Sequence, residues 1–202
     1  MSNPSGRFVA DTSTVINLNA TQCAAEILAA LPERVVVVDI VAGELEYGRR
    51  NGRTDADTLA ELRKAGLVDV DSLGDTGEVV FEQLVAGGAN ETLDDGEAAT
   101  IAYAVEHSLG IFVDDGKARR ICRERYGSVR MRSSIEIFQH ASLHNALRRE
   151  RLVAAVMNAL QIGRMRVLPE HIPWVVELIG HQNASACRSL PRRLRQRPSG
   201  VT

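Results

Sequence analysis

The sequence predicts an α/β fold built on a parallel sheet and followed by a helical extension. Short apolar runs alternate with longer helical patterns along the first two thirds of the chain, as in consecutive strand–helix–strand units. The strongest strand signal, Val35–Val38, is four valines without polar alternation, so both of its faces should be covered, as in a parallel sheet. Beyond about residue 145 the strand signals stop and only helical patterns follow.

Most of the predicted strands are short, mainly apolar runs that end at a polar or turn-forming residue. In chain order the strands are predicted over Arg7–Ala10, Val35–Val38, Leu67–Val70, Ile111–Val113 and Arg130–Arg132. The first run stops at Asp11 and the fourth stops at Asp114, so two of these strands lead directly into a carboxylate.

Capping residues and helix breakers mark the ends of several predicted helices. Pro32 ends the second helical pattern and Asn51-Gly52 ends the third. Asp39 is predicted to cap the start of the helix from Ile40, and Gly110 is predicted to cap the end of the helix over Asp95–Ser108. In chain order the helices are predicted over Thr12–Leu18, Thr21–Ala30, Ile40–Arg50, Asp55–Ala65, Glu78–Ala86, Asp95–Ser108, Lys117–Arg125, a segment capped by Ser133 or Ser134, Ala146–Leu160 and Ile172–Ile179. We therefore predict two parts, a domain over residues 1–145 and an extension over 146–202 that ends in a basic, disordered tail from Arg188.

The net charge of −2 conceals a strong asymmetry along the chain. Residues 1–116 hold 21 acidic and 7 basic side chains, whereas residues 117–202 hold 5 acidic and 17 basic ones. The acidic part is suited to hold a cation and the basic part a polyanion, although two solvated surfaces that attract each other explain the same composition.

Three observations predict a cytoplasmic protein. The three cysteines, Cys23, Cys122 and Cys187, are odd in number and widely spaced, which argues against a disulfide set or a zinc site. The first residues lack the basic-then-apolar pattern of a signal peptide, and no stretch reaches about 18 apolar residues.

Carboxylates gather at one predicted edge of the sheet. Asp11, Asp114 and Asp115 end strands, while Glu44 and Glu97 lie in the first part of helices that begin at the same edge. Like charges in one crevice repel each other and raise each other's pKa, and a divalent cation removes that repulsion. Ligands that are all oxygen favour Mg²⁺ or Mn²⁺, which assist phosphodiester hydrolysis. Taken singly, each acid is also explained as a helix cap or a solvated residue.

Four blocks of sequence carry a family resemblance. They are F-V-A-D-T-S-T-V (residues 8–15), V-V-V-V-D-I-V-A-G-E-L-E-Y-G (35–48), L-D-D-G-E-A-A-T-I-A (93–102) and I-F-V-D-D-G-K-A-R-R (111–120). In this order they resemble the acidic blocks of PIN-domain nucleases, including the toxin-type ribonucleases. The resemblance implies a three-layer α/β/α fold and a metal-dependent endoribonuclease, in which Asp11, Glu44, Glu97 and either Asp114 or Asp115 bind Mg²⁺ or Mn²⁺.

The resemblance also implies partners. Many small members of the family are toxins of toxin–antitoxin pairs, so we expect an RNA substrate, an antitoxin protein and a homodimer, with no membrane association. Ser13, and more weakly Ser134, are candidates to assist near the metal. Arg119 and Arg120, which follow the acidic pair on one helix, are candidates to contact RNA phosphates or are simply a solvated helix face.

Two other classes of function compete with the ribonuclease. A non-catalytic module that binds RNA or an antitoxin would keep the fold without turnover, but such a module has no reason to keep repelling carboxylates together. A phosphatase of the haloacid-dehalogenase type also begins with an aspartate at a strand end. That class needs a second aspartate two residues later, where this chain has Ser13.

Overall fold

The computed structural model describes residues 6–195 and contains one parallel sheet. Its strands are β1 (Arg7–Ala10), β2 (Arg34–Val38), β3 (Val68–Asp71), β4 (Gly110–Phe112) and β5 (Met131–Arg132). They lie in the order β3-β2-β1-β4-β5, and every neighbouring pair is parallel. The predicted parallel α/β architecture is confirmed.

Helices cover both faces of the sheet. They are α1 (Thr12–Ala20), α2 (Ala24–Ala30), α3 (Asp39–Arg49), α4 (Asp55–Lys64), α5 (Asp75–Val85), α6 (Asp95–His107), α7 (Gly116–Arg125), α8 (Ser134–Gln139), α9 (Ala141–Ala146), α10 (Arg149–Gln161), α11 (Ile172–Ile179) and α12 (His181–Ala186). Short 3-10 turns occur at Pro169–His171 and Arg192–Arg195. No helix within residues 6–195 has the length and apolar character that crossing a membrane requires.

The valine strand β2 shows why the fold has three layers. Successive side chains of a strand point to opposite faces, so Val35 and Val37 enter one core while Val36 and Val38 enter another. All four are at most 2% exposed. The first core is shared with α1, α2 and α4, and the second is shared with α5, α6 and α7. Burial on both faces is what the run of four valines predicts.

The strand order places the carboxyl ends of β1 and β4 side by side at the centre of the sheet. From β1 the chain proceeds outward to β2 and β3, and it then returns to build β4 and β5 on the other side. In open α/β sheets, ligands bind at the point where the strand order reverses in this way. Asp11 follows β1 and Asp114 follows β4, so both aspartates lie at the reversal point.

Several helix boundaries differ from their sequence predictions by a few residues, and two differences have a clear local reason. The helix predicted from Thr21 begins at Ala24, because Thr21 closes α1 by donating its hydroxyl hydrogen to the carbonyl of Leu18, and Gln22 has a φ of +62°. The prediction that Gly110 caps α6 is wrong. Ser108, with a φ of +55°, ends that helix in the left-handed conformation.

Gly110 instead pairs within β4, where it leaves room for an aromatic ring. A Cβ at this position would lie 2.7 Å from Cζ of Phe8, so the side chain of Phe8 occupies the space that a larger residue would need. The ring of Phe8 in turn packs against Phe112, with 4.8 Å between ring centroids.

The helices after residue 145 pack against the sheet domain. Helix α10 lies on α1, and its buried Leu152 and Val156 belong to the same core cluster as Phe8. Part of the predicted disordered tail is packed as well, since Leu190 is buried in that cluster. Residues 196–202 of the tail lie outside the described part of the chain, and the proposed division between residues 145 and 146 stays a prediction.

Candidate active site

Asp11 combines a structural role with a position at the centre of the candidate site. It is the N-cap of α1, and its Oδ1 accepts a hydrogen bond of 2.7 Å from the Thr14 amide. The Ser13 hydroxyl donates to the same carboxylate at 2.9 Å, so Ser13 contacts Asp11, and its expected role near a metal stays a prediction. Burial raises the pKa of Asp11 to about 6, with a further contribution from the charge of Asp114, despite the hydrogen bonds from Thr14 and Ser13.

Asp114 is the second buried carboxylate and is held from two sides. It is 3% exposed, and its Oδ1 accepts a hydrogen bond of 2.7 Å from the backbone amide of Ser134. Its Oδ2 accepts one of 3.2 Å from the side-chain amide of Asn17. Burial raises the pKa of Asp114, although the hydrogen bonds from Ser134 oppose this shift. Ser134 also donates its hydroxyl hydrogen to the hydroxyl of Thr14 at 3.1 Å, which links α8 to α1.

Asp115 differs from Asp114 because its carboxylate is already engaged within the protein. It is the N-cap of α7, and its Oδ1 accepts hydrogen bonds from the amides of Lys117 and Ala118. Its Oδ2 accepts one of 2.9 Å from Arg166. Burial acts to raise the pKa of Asp115, but these amides and the guanidinium together bring it below its ordinary value. The two aspartates that the sequence left as alternatives therefore have different surroundings.

Glu97 lies in the first turn of α6 and faces the other carboxylates. Burial raises its pKa to about 7, and the charges of Asp115, Asp94 and Asp11 raise it further. Asp11 and Asp115, the N-caps of α1 and α7, thus act electrostatically on a residue of α6.

Glu44 is adjacent to this group but is occupied by hydrogen bonds. Its Oε1 accepts one of 2.8 Å from the Gly96 amide at the start of α6, and its Oε2 accepts one from the Thr12 hydroxyl. Glu44 thus connects α3 to the helices that carry Asp11 and Glu97.

The two predicted RNA-contacting arginines lie in different surroundings. Arg119 donates to the carbonyl of Val113 at 3.0 Å, and its charge lowers the pKa of Asp114, so it lies close to the carboxylates. Arg120 turns to the loop before α6, where it donates to the carbonyl of Asn90 at 2.9 Å, and it also pairs with Glu124.

The donor set suits a hard divalent cation. Every candidate ligand is a carboxylate oxygen, and burial and mutual repulsion raise the pKa of Asp11 and Glu97, a penalty that a bound cation would offset. Within the described residues, no three His, Cys, Asp or Glu side chains form a ready-made metal-binding group. This arrangement fits Mg²⁺, which proteins usually hold through one or two carboxylates, with waters and substrate phosphates as the other ligands.

Comparison with known families agrees with this geometry. A family model described as a PIN domain matches residues 7–181, which is most of the chain. The chain belongs to the PIN-domain family. A search of curated proteins found no match. PIN domains are generally nucleases, and a carboxylate cluster at the carboxyl ends of β1 and β4 is consistent with a nuclease-like fold.

Three residues that bind the candidate carboxylates of this PIN domain through their side chains were not predicted as site residues from the sequence. Thr12 and Asn17 lie on α1, where Thr12 binds Glu44 and Asn17 binds Asp114. Thr12 belongs to the first block of the family resemblance, whereas nothing in the local sequence of Asn17 separates it from ordinary helix residues. Arg166 is 51 residues from its partner Asp115 and lies in the segment that the sequence assigns to the extension. The family match covers Arg166, which lies within residues 7–181.

Proposed function

We propose that this PIN domain is an endoribonuclease that hydrolyses RNA phosphodiester bonds with the help of Mg²⁺ or Mn²⁺. The observation that carries the proposal is the pair of buried carboxylates, Asp11 and Asp114, whose side chains are 2% and 3% exposed at the reversal point of the sheet. Two like charges with so little access to water are costly unless one of them binds a proton or a cation lies beside them, and a divalent cation allows both carboxylates to stay ionised.

Asp11 and Asp114 are the residues that would hold the metal most directly. Hydrogen bonds fix the orientation of the two carboxylates. Asp11 accepts from Ser13 and Thr14, and Asp114 accepts from Asn17 and Ser134. Glu97 completes the negative site from α6, whereas Asp115 and Glu44 contribute charge while keeping their own protein partners. A bound Mg²⁺ or Mn²⁺ would neutralise phosphate charge and make a water molecule more acidic.

The reaction adds water across a P–O bond of the RNA backbone. The oxygen of the water bonds to phosphorus, the bond to the leaving ribose oxygen breaks, and a proton ends on that leaving oxygen. The side chains of the protein contribute by fixing the phosphate relative to the carboxylates, since positioning and electrostatics supply most of the catalysis of phosphoryl transfer.

The test is cleavage of total RNA by the purified protein in Mg²⁺ or Mn²⁺. We expect discrete fragments that disappear in EDTA and in D11N, D114N and E44Q, while E61Q, which neutralises an exposed carboxylate on α4, cleaves like the wild type. Cleavage that persists in D11N would contradict the proposed site. An absence of cleavage by the wild-type protein would favour the non-catalytic binding module.

The biological setting is a further part of this proposal. By resemblance to toxin-type members, we propose a cytoplasmic toxin that pairs with an antitoxin protein and forms a homodimer. The three cysteines are free and buried, as befits a reducing compartment. Growth arrest on expression, relieved by the product of a neighbouring small gene, is the expected result for a toxin. A monomer mass in solution scattering would contradict the dimer.

A further inference from the structure

The turn after α10, in the C-terminal part of the chain, brings the positively charged side chain of Arg166 to the candidate active site. Arg166 donates a hydrogen bond of 2.9 Å from Nη1 to Oδ2 of Asp115, and its side chain is 61% exposed.

The packing of its two neighbours explains why the Arg166 side chain lies on the surface. Its two neighbours, Met165 and Val167, are 1% and 9% exposed, so they anchor the turn in the core and leave the arginine between them on the surface. The Met165 amide donates at 2.9 Å to the carbonyl of Ala159, which ties the turn to the end of α10. The direction of Arg166 is therefore set by packing on both sides of it.

Gly163 fits the same turn closely against α1. A Cβ at Gly163 would lie 2.8 Å from the carbonyl oxygen of Ala159 and 2.8 Å from Oδ1 of Asn17. Asn17 is the residue whose side-chain amide binds Asp114. The turn that carries Arg166 thus rests on the residue that positions a candidate metal ligand.

Two guanidinium groups border the buried carboxylate. Arg119 donates to the carbonyl of Val113 and Arg166 donates to Asp115, the residues on either side of Asp114, and both charges act to lower the pKa of Asp114. Arg119 is tied to the carbonyl of Val113, whereas most of the Arg166 side chain is open to solvent. A guanidinium has five donors in a planar fork, so the bond from Nη1 to Asp115 leaves donors that can bind a phosphate.

We propose that Arg166 binds a backbone phosphate of the RNA strand at the active site, and that the C-terminal helices are therefore part of the substrate-binding surface. This inference rests on the proposed ribonuclease function. The contact does not distinguish one base from another, because phosphate contacts position a nucleic acid without carrying sequence information.

Binding of a short, fluorescein-labelled single-stranded RNA tests the contact apart from cleavage. Affinity is measured by fluorescence anisotropy in Ca²⁺, between about 50 and 200 mM KCl, with a gel showing that the probe is intact. The variants are R166A, R166Q and R166K. The matched control is R164A, which removes the same charge from a residue two positions before Arg166. The Arg164 side chain forms no ion pair among the described residues.

We expect R166A and R166Q to bind the probe about tenfold more weakly, as for the loss of one charged hydrogen bond. The slope of log affinity against log salt is negative, and each lost phosphate contact also reduces its magnitude by about 0.7 for single strands. R166K should keep the salt slope, because it keeps the charge, and should lose part of the affinity. R164A should behave like the wild type in both measurements.

Three results would overturn the inference. If the wild-type protein cleaves RNA and the salt slope is unchanged in R166A and R166Q, then Arg166 is a partner of Asp115 only. Faster cleavage by R166A would mean that the arginine masks the site. A wild type that neither binds nor cleaves RNA would overturn the proposed function together with the inference. Thermal melting shows whether each variant is folded. R166Q and R166K keep a polar side chain at this position, so they still test the contact if R166A does not fold.

Discussion

The backbone amide of Gly96 donates a hydrogen bond of 2.8 Å to Oε1 of Glu44, joining α6 to α3. Gly96 is buried, so this amide at the start of α6 has no alternative partner in water. Glu97 follows directly, and its place among the carboxylates depends on where α6 begins. The contact between Glu44 and Gly96 therefore has a structural consequence that is separate from any role of Glu44 as a metal ligand.

Replacement of Glu44 should separate these two roles. E44Q keeps an oxygen that accepts from Gly96, so we expect stability close to that of the wild type, whereas E44A leaves the amide unpaired and should cost about 1–3 kcal/mol. Urea denaturation measures the difference. E46A is the control, since Glu46 is exposed and its ion pair with Arg49 on the surface should contribute less than about 1 kcal/mol. Equal stability of E44A and E44Q would contradict the structural role.

A methyl group at Gly110 should destabilise the central sheet. Its Cβ would enter the space of the Phe8 ring, which is 1% exposed and packed against Phe112, so G110A should cost about 1–3 kcal/mol by overpacking. The matched control is G43A within α3, where a Cβ meets no atom within 4 Å. G43A should be neutral or stabilising by up to about 1 kcal/mol. A G110A protein with unchanged urea midpoint would show that Phe8 can move aside.

The raised pKa of Glu97 makes the stability of the metal-free protein depend on pH. The folded protein holds the proton of Glu97 up to about pH 7, whereas the ordinary value is 4.5. The contribution of Glu97 to stability is therefore fully present below about pH 4.5 and is lost as the pH rises through about 7. E97Q removes this loss, so its melting temperature in EDTA at pH 8 should exceed that of the wild type by about 2–4 °C.

The difference between E97Q and the wild type should shrink at pH 5, where Glu97 is largely protonated in the folded protein. E61Q, on the exposed surface of α4, should show no such change between the two pH values. A lower melting temperature for E97Q at pH 8 would mean that the carboxylate of Glu97 stabilises the fold.

Addition of Mg²⁺ should distinguish Asp114 from Asp115. A ligand at ten times its Kd stabilises the folded state by about 1.4 kcal/mol, which corresponds to about 3–6 °C for a chain of this size. D114N should lose this shift, because Asp114 is buried and its charge acts on the buried Asp11. D115N should keep it, since Asn also caps a helix and the wild-type carboxylate is engaged by Lys117 and Arg166. The reverse pattern in thermal melting would make Asp115 the ligand.

Much of the fold could be predicted because strands and their ends are local features of a sequence. Four adjacent valines bury both faces of a strand wherever it lies, and an aspartate after an apolar run marks the carboxyl end of that strand. Parallel connections then bring such ends to one edge, so Asp11 and Asp114 could be expected to meet. The prediction for Gly110 failed because the space around that residue is set by Phe8, which lies on the adjacent strand and is distant in the sequence.

The sequence by itself therefore determined the parallel sheet and the edge at which its carboxylates gather. Only the tertiary structure decided which partner each carboxylate has. Asn17 binds Asp114 across 97 residues, and Arg166 binds Asp115 across 51. Seventeen basic residues follow residue 116, and nothing local separates Arg166 from the others. A hydrogen bond requires atoms within about 3 Å, and that distance is set by how α10 and its turn pack against α1.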